Sequence, residues 1–252
     1  MLDLYWLEQT DSDLPPANDW LSASDAARMN ALHIAKRRAD WRLGRWTSKR
    51  AVAACLNLSA HPRALAAIEI RPADSGAPEA FVANQPAAVT ISLSHRDGVA
   101  ACTVALSRVE LGCDLETIEA RSDTFIADYF TTEEQELIVR APLVDRYRLT
   151  ALLWSAKESA LKALNTGLRL DTRSVRASPL DALRCRGQKK AGCPQDLALT
   201  LGVPAGPNSW RPLHVHYEGQ IFRGWWQHSG ELLRTVVASP PPAPPVLLRL
   251  AA

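Results

Sequence analysis

Asp114 and Glu116 flank Leu115 on a segment that alternation marks as a strand. Successive side chains of a strand point to opposite faces, so both acids point the same way. Two like charges on one face repel, and a divalent cation turns that repulsion into attraction. Oxygen donors of this kind suit Mg²⁺, which keeps several waters and shares itself with substrate phosphates. Taken alone, an Asp-x-Glu pattern also describes a solvated strand end. The segment Trp154-Ser155-Ala156-Lys157-Glu158-Ser159-Ala160-Leu161-Lys162 shifts the balance. Glu158 and Lys162 lie four residues apart on one helix face, where an ordinary ion pair is worth ~0.2–0.5 kcal/mol. Their helix is apolar almost all round, and buried charges are costly without partners. A third carboxylate and a phosphate-seeking lysine both find partners at a metal–phosphate site. Ser92-Leu93-Ser94-His95 closes a strand and enters a turn, where a hydroxyl and an imidazole can bind a phosphate; a structural or merely exposed histidine fits the same place.

The elements that must position these residues follow from the apolar pattern. A strand spans Leu2 to Glu8, and Ser22 or Ser24 with Asp25 marks a helix start. A second helix runs from Ala35 to Leu58, with Trp41, Trp46, Val52, Ala53 and Leu56 apolar. Strands are expected at Ala88–Leu93, Val99–Ala105 and Arg108–Leu115, the first two joined by the turn-like Ser94 to Gly98. One helix is expected over Asp128–Arg140, capped by Thr131 or Thr132, and another over Leu149–Leu164, ended by Gly167. Strand-like stretches follow at Leu197–Leu201, Leu213–Tyr217 and Leu232–Val237. Trp225-Trp226 with Phe222 read as core. Short strands clustered after helices point to an α+β class rather than regular βαβ alternation. The prolines from Pro240 to Pro245 read as a stiff tail outside the fold, and no internal repeat is evident.

Composition removes several function classes. The chain has 252 residues, 47% of them hydrophobic and 22% charged, which is globular rather than disordered composition. Net charge is +2, which argues against a protein built to coat nucleic acid. Eight bases against two acids between Ser22 and Arg50 make a local basic stretch, which also describes an ordinary solvated helix face. No apolar run approaches the ~18 residues of a membrane span, and no signal peptide is visible. The five cysteines are odd in number and scattered, so a reducing, cytoplasmic compartment is expected.

Together the motifs resemble those of the 4′-phosphopantetheinyl transferases. Leu111-Gly112-Cys113-Asp114-Leu115-Glu116 and the Trp154–Lys162 segment are similar to that family's (I/V)G(I/V)D(I/V)E and W(S/T)xKE(S/A)xxK signatures, about forty residues apart. Ser92-Leu93-Ser94-His95 resembles its N(I/L)SH, and Gly44-Arg45 with Lys49 its GRxxxR. Tyr129-Phe130-Thr131-Thr132-Glu133-Glu134 resembles its FFsxxE element, and Gly167-Leu168 the glycine after the signature helix. Length and motif order favour the large, single-chain, surfactin-synthetase-activating type. Three positions depart from the pattern: Ser92 stands in place of Asn, Gly76-Ala77-Pro78 lacks the lysine of GKP, and Cys113 replaces a β-branched residue.

The resemblance implies two similar α+β halves, pseudo-twofold related, with coenzyme A in the cleft between them. The halves would be residues 1–109 and 110–238, with 239–252 as the tail. It implies transfer of the phosphopantetheine arm of coenzyme A to a serine of an acyl, peptidyl or aryl carrier protein, by a monomer, without nucleic acid or membrane. Asp114, Glu116 and Glu158 would hold Mg²⁺. Lys162 would contact the pyrophosphate, Arg45, Ser94 and His95 would bind the coenzyme's phosphates, and Glu134 would be a base for the incoming serine. Two rival readings are a silent coenzyme A or carrier-binding homologue, which the missing lysine favours, and a Mg²⁺-dependent phosphodiesterase using the three acids.

Overall fold

The computed structural model describes residues 1–179 and 209–250. The chain runs β1 (Tyr5–Thr10), α1 (Ala23–Asn30), α2 (Ala35–Cys55), α3 (Pro62–Leu65), β2 (Ile68–Pro72), β3 (Pro78–Val82), β4 (Gln85–Pro86), β5 (Thr90–Arg96) and β6 (Val99–Ala105). It continues through β7 (Glu110–Thr117), α4 (Asp123–Tyr129), α5 (Thr132–Arg140), α6 (Leu143–Ala163), β8 (Arg176–Pro179), β9 (Arg211–Tyr217), β10 (Gln220–Ser229), β11 (Leu232–Ser239) and β12 (Val246–Leu247). Helices and largely antiparallel strands mix as an α+β fold. The strand expected at Leu197–Leu201 lies outside the described residues.

Among the described residues three sheets form, ordered β12-β1-β6-β5, β7-β11-β10-β9-β8 and β2-β3-β4. Both larger sheets follow one plan. The first strand of each part of the chain, β1 or β7, pairs antiparallel with a late strand, β6 or β11, which in turn pairs with the strand just before it. A 21-residue helix packs on each: α2 on β1 and β6, α6 on β7 and β11.

The two long helices carry the same internal device. Trp46-Thr47-Ser48-Lys49 in α2 and Trp154-Ser155-Ala156-Lys157 in α6 occupy corresponding turns, a short repeat that inspection of the chain passed over. Both lysines are wholly buried. Lys49 Nζ meets Asp25 Oδ2 at 2.5 Å and donates to the carbonyls of Trp20 and Leu65. Lys157 Nζ meets Glu134 Oε2 at 2.8 Å and donates to the carbonyls of Thr172 and Val175. Each acid is the third residue of a capping box, with Ser22 on α1 and with Thr131 on α5. A buried lysine thus staples each long helix to the capped start of the preceding one, all its donors satisfied.

Several boundaries moved for identifiable reasons. The helix expected over Asp128–Arg140 is two, α4 and α5, because Phe130 turns into the core and Thr131 caps afresh. α6 begins six residues before the expected Leu149, after Pro142, its first turn hidden from the apolar pattern because Leu143 and Val144 are exposed. The β5–β6 turn narrows to Asp97-Gly98, both at positive φ, since pairing continues to Arg96. The proline tail is a correction: it belongs to the fold. Ala243, Val246 and Leu248 donate to the carbonyls of Leu2, Leu4 and Trp6, and β12 runs parallel to β1. Proline lacks an N–H, yet an edge strand needs donors only at alternate residues, and non-prolines supply them here.

Glu134 and Lys157 are both fully enclosed, so removing one leaves the other as an uncompensated buried charge. Glu134→Ala is expected to lose about 3–5 kcal/mol in urea unfolding, and Glu134→Gln with Lys157→Met to recover most of it. A loss under 1 kcal/mol in the single variant would show that the pair is not a staple.

Candidate active site

β7 is the edge strand of its sheet: β11 takes one side, and the N–H groups of Cys113 and Leu115 face the other way, toward β5. Buried N–H groups without acceptors cost about 1–3 kcal/mol each. β5 supplies the acceptors through side chains rather than backbone. Thr90 Oγ1 accepts from Val109 N, Ser92 Oγ from Cys113 N at 3.0 Å, and Ser94 Oγ from Leu115 N at 3.1 Å. Alternate residues of one strand thereby line up with alternate residues of the next, and the two larger sheets are joined in register. Ser92, where the resemblance led to Asn, fills its place with a hydroxyl.

The same face of β5 holds the acids of β7. Ser94 Oγ donates to Asp114 Oδ1 at 2.9 Å, and Lys162 Nζ reaches that oxygen at 2.8 Å and the Cys113 carbonyl at 3.0 Å. Two residues on, Arg96 Nη2 lies 3.2 Å from Glu116 Oε1, which also takes Arg121 Nη2 and Thr117 N, each at 2.9 Å. Gly112 is what lets α6 approach: a Cβ there would stand 1.8 Å from the Ser159 carbonyl oxygen.

Asp114 and Glu116 are buried, at 6% and 5% exposure, and Glu158 comes to them from α6. Burial, reinforced by Asp114 and Glu116 against the relief of Lys162, pushes the Glu158 carboxyl up to about 7. Burial also raises Glu116, outweighing Thr117 N–H and the arginines. Burial works against the Lys162 ammonium, yet Asp114 and Glu158 hold it above its ordinary value, so it stays charged. Among the described residues, no three His, Cys, Asp or Glu side chains stand in positions that together hold a metal ion. The donor chemistry nonetheless suits a hard cation: among the described residues, Asp114 Oδ2, Glu116 Oε2 and both Glu158 oxygens have no hydrogen-bond partner.

Beside this cluster lies a cavity of about 860 Å³, within the usual size for a ligand site. Residues 75–81 and 165–169 form two of its walls, with Ser92, His95, Arg108 and Lys162 between them. His95 and Arg108 are exposed, and neither has a hydrogen-bond or ion-pair partner among the described residues. Arg169 ties the walls together by donating to the carbonyls of Ser75 and Asn165.

Three expected site residues do not line the cavity. Glu134, expected as a base, is buried against Lys157 and accepts from Ala177 N. Arg45, expected at a phosphate, is inside the N-terminal part, 3.3 Å from Asp25, donating to the Ile70 carbonyl and covering Trp41. Ser94 sits behind the cavity wall, its one proton given to Asp114. Conversely, Arg96, Arg121, Arg108 and Arg169 escaped the sequence reading. Only Arg96 carried a signal, two residues past Ser94 as Glu116 is past Asp114. Because Glu158 is forced among like charges, Glu158→Gln is expected to raise the thermal midpoint of the metal-free protein. A gain of about 1 kcal/mol is ~2–4 °C for a chain of this size. A lowered midpoint on differential scanning calorimetry would contradict the repulsion.

Comparison with known proteins finds similarity over the stretch of chain that carries these acids. Residues 110–201 match the 4′-phosphopantetheinyl transferase superfamily. Over 225 residues the chain is 24% identical to the 4′-phosphopantetheinyl transferase HetI of Nostoc sp. (strain PCC 7120), covering 84% of this chain and 89% of HetI. The part matched by the superfamily holds β7, α6 and all three acids.

Proposed function

We propose that this protein transfers the 4′-phosphopantetheine arm of coenzyme A to a serine of an acyl, peptidyl or aryl carrier protein. The observation that carries the reading is the cluster of Asp114, Glu116, Glu158 and Lys162, of which Lys162 lines a cavity whose walls hold further cations. In the reaction the serine oxygen bonds to the β-phosphorus of coenzyme A. The bond from that phosphorus to the bridging oxygen breaks, and adenosine 3′,5′-bisphosphate leaves with the electron pair while the serine proton passes to water. Such transfers are catalysed by positioning and by charge neutralisation. Asp114, Glu116 and Glu158 are the residues that would hold Mg²⁺, which supplies charge neutralisation at the pyrophosphate. Lys162, permanently charged, faces the same phosphates and steadies the leaving group. His95 receives the 3′-phosphate, and Arg108 adds positive potential on the wall that lacks a lysine at Ala77.

The repeated lysine staple and strand plan support two pseudo-twofold halves, 1–109 and 110–238, with the coenzyme in the cleft between them. The reading brings with it a monomeric enzyme in a reducing, cytoplasmic compartment, and the free thiols of Cys55, Cys102 and Cys113 fit that compartment. No helix among the described residues is long and apolar enough to cross a membrane.

Incubation with a carrier protein, coenzyme A and Mg²⁺ is expected to add one phosphopantetheine arm to the carrier by mass; hydrolysis of the coenzyme with the carrier unmodified would overturn the assignment. Glu158→Ala is expected to cut transfer at least a hundredfold while circular dichroism is unchanged. His95→Ala is expected to raise the coenzyme KM about tenfold, as loss of a hydrogen bond to a charged group does. That penalty should vanish with 3′-dephospho-coenzyme A, and its persistence would move His95 off the 3′-phosphate.

A further inference from the structure

Asp114 and Glu116 are each held by one oxygen only. Asp114 Oδ1 takes the Ser94 hydroxyl at 2.9 Å and the Lys162 ammonium at 2.8 Å, leaving Oδ2 without a partner among the described residues. A serine hydroxyl has one proton to donate, and here that proton goes to Asp114 while the oxygen accepts from Leu115 N at 3.1 Å. Ser94 is 8% exposed and does not line the cavity, whereas its strand neighbours Leu93 and His95 do. A phosphate in the cavity therefore meets no free proton from Ser94.

From this geometry we propose that Ser94 is a positioning residue for the metal site rather than a coenzyme-binding one. Its hydroxyl fixes the Asp114 carboxylate through Oδ1 and leaves Oδ2 for the divalent cation that the acids would hold, while its oxygen accepts from Leu115 N and locks β7 there. The proposal rests on the transferase reading for the identity of the cation, and on the hydrogen bonds alone for the role of Ser94. Groups that hold a metal's ligands typically change its affinity 10–100-fold when removed. Ser92 provides an internal control. It makes the equivalent bond to β7, from Cys113 N, but touches no carboxylate.

The test is Mn²⁺ binding to the full-length, coenzyme-free protein, read by electron paramagnetic resonance of free Mn²⁺, for Ser94→Ala, Ser94→Thr and Ser92→Ala. Ser94→Ala is expected to weaken Mn²⁺ about tenfold, Ser94→Thr to stay within about threefold of wild type, and Ser92→Ala to bind as wild type. Thermal midpoints of Ser94→Ala and Ser92→Ala should fall together, since each loses one acceptor for a buried N–H. Coenzyme A binding in the presence of EDTA should be the same for Ser94→Ala and wild type. Unchanged Mn²⁺ affinity in Ser94→Ala, weakened coenzyme binding without metal, or equal Mn²⁺ losses in both alanine variants would each overturn the proposal. If wild type transfers the arm yet binds no Mn²⁺, the inference falls while the transferase reading stands. If Ser94→Ala behaves as expected but no carrier is modified, the reading falls and the positioning role remains.

Discussion

The free edge of β7 is the constraint on which this molecule turns. A strand paired on one side only leaves a row of N–H groups, and inside a protein each must find an acceptor. β5 answers with hydroxyls at Thr90, Ser92 and Ser94 instead of carbonyls, so the two larger sheets meet through short side chains. That choice has a chemical consequence. Backbone pairing would have spent its bonds on the chain alone, whereas a hydroxyl can accept from an N–H and still donate onward. Ser94 does both, and the joint between the sheets becomes the support of Asp114. A register slip of one residue would turn every hydroxyl of β5 to the other face and release the acids as well.

Each long helix answers a second constraint, the burial of a charged side chain. Lys49 and Lys157 are satisfied alike, by a carboxylate from a capping box and by two carbonyls. Buried pairs of this kind are weak contributors to net stability but demanding about their partners, so they specify how one element docks on another. The corresponding turns then diverge. Glu158 follows Lys157 where Arg50 follows Lys49, and Lys162 occupies the turn that Ala54 occupies in α2. Arg50 covers Trp46, while Glu158 and Lys162 join the acids of β7. The two helices share one device, and only beside α6 does a charged cluster form, where Gly112 admits the helix backbone closely enough for Lys162 to reach Cys113 and Asp114.

Much of the site was legible because its residues obey simple periodicities. Asp114 and Glu116 sit two apart on a strand, Glu158 and Lys162 four apart on a helix, and both spacings put a pair on one face whatever the tertiary arrangement. The residues that went unread are those whose partners are remote. Glu134 looks like any acid early in a helix until Lys157, arriving from another helix, shows it to be a counter-ion. Arg45 and Ser94 bear types that bind phosphate, yet Asp25 and Asp114 already engage them. The tail misled for a different reason. Proline content argues against a central strand, while an edge partner of β1 needs donors only for the carbonyls of Leu2, Leu4 and Trp6, and the non-prolines Ala243, Val246 and Leu248 supply them.

Read alone, the amino-acid chain determined the mixed α+β class, most of the secondary elements, and the pairing of like-charged acids on one strand with a charged turn on an apolar helix. These depend on neighbours within one turn or one pleat. Only the tertiary structure decided which polar groups remain available for chemistry. Burial and hydrogen bonding commit Glu134, Arg45 and Ser94 to other side chains, leave His95 and Arg108 open on the cavity wall, and bring Arg96 and Arg121 to Glu116. A side chain has few donors and acceptors, and whether they are already spent is settled by residues that the fold brings from far along the chain.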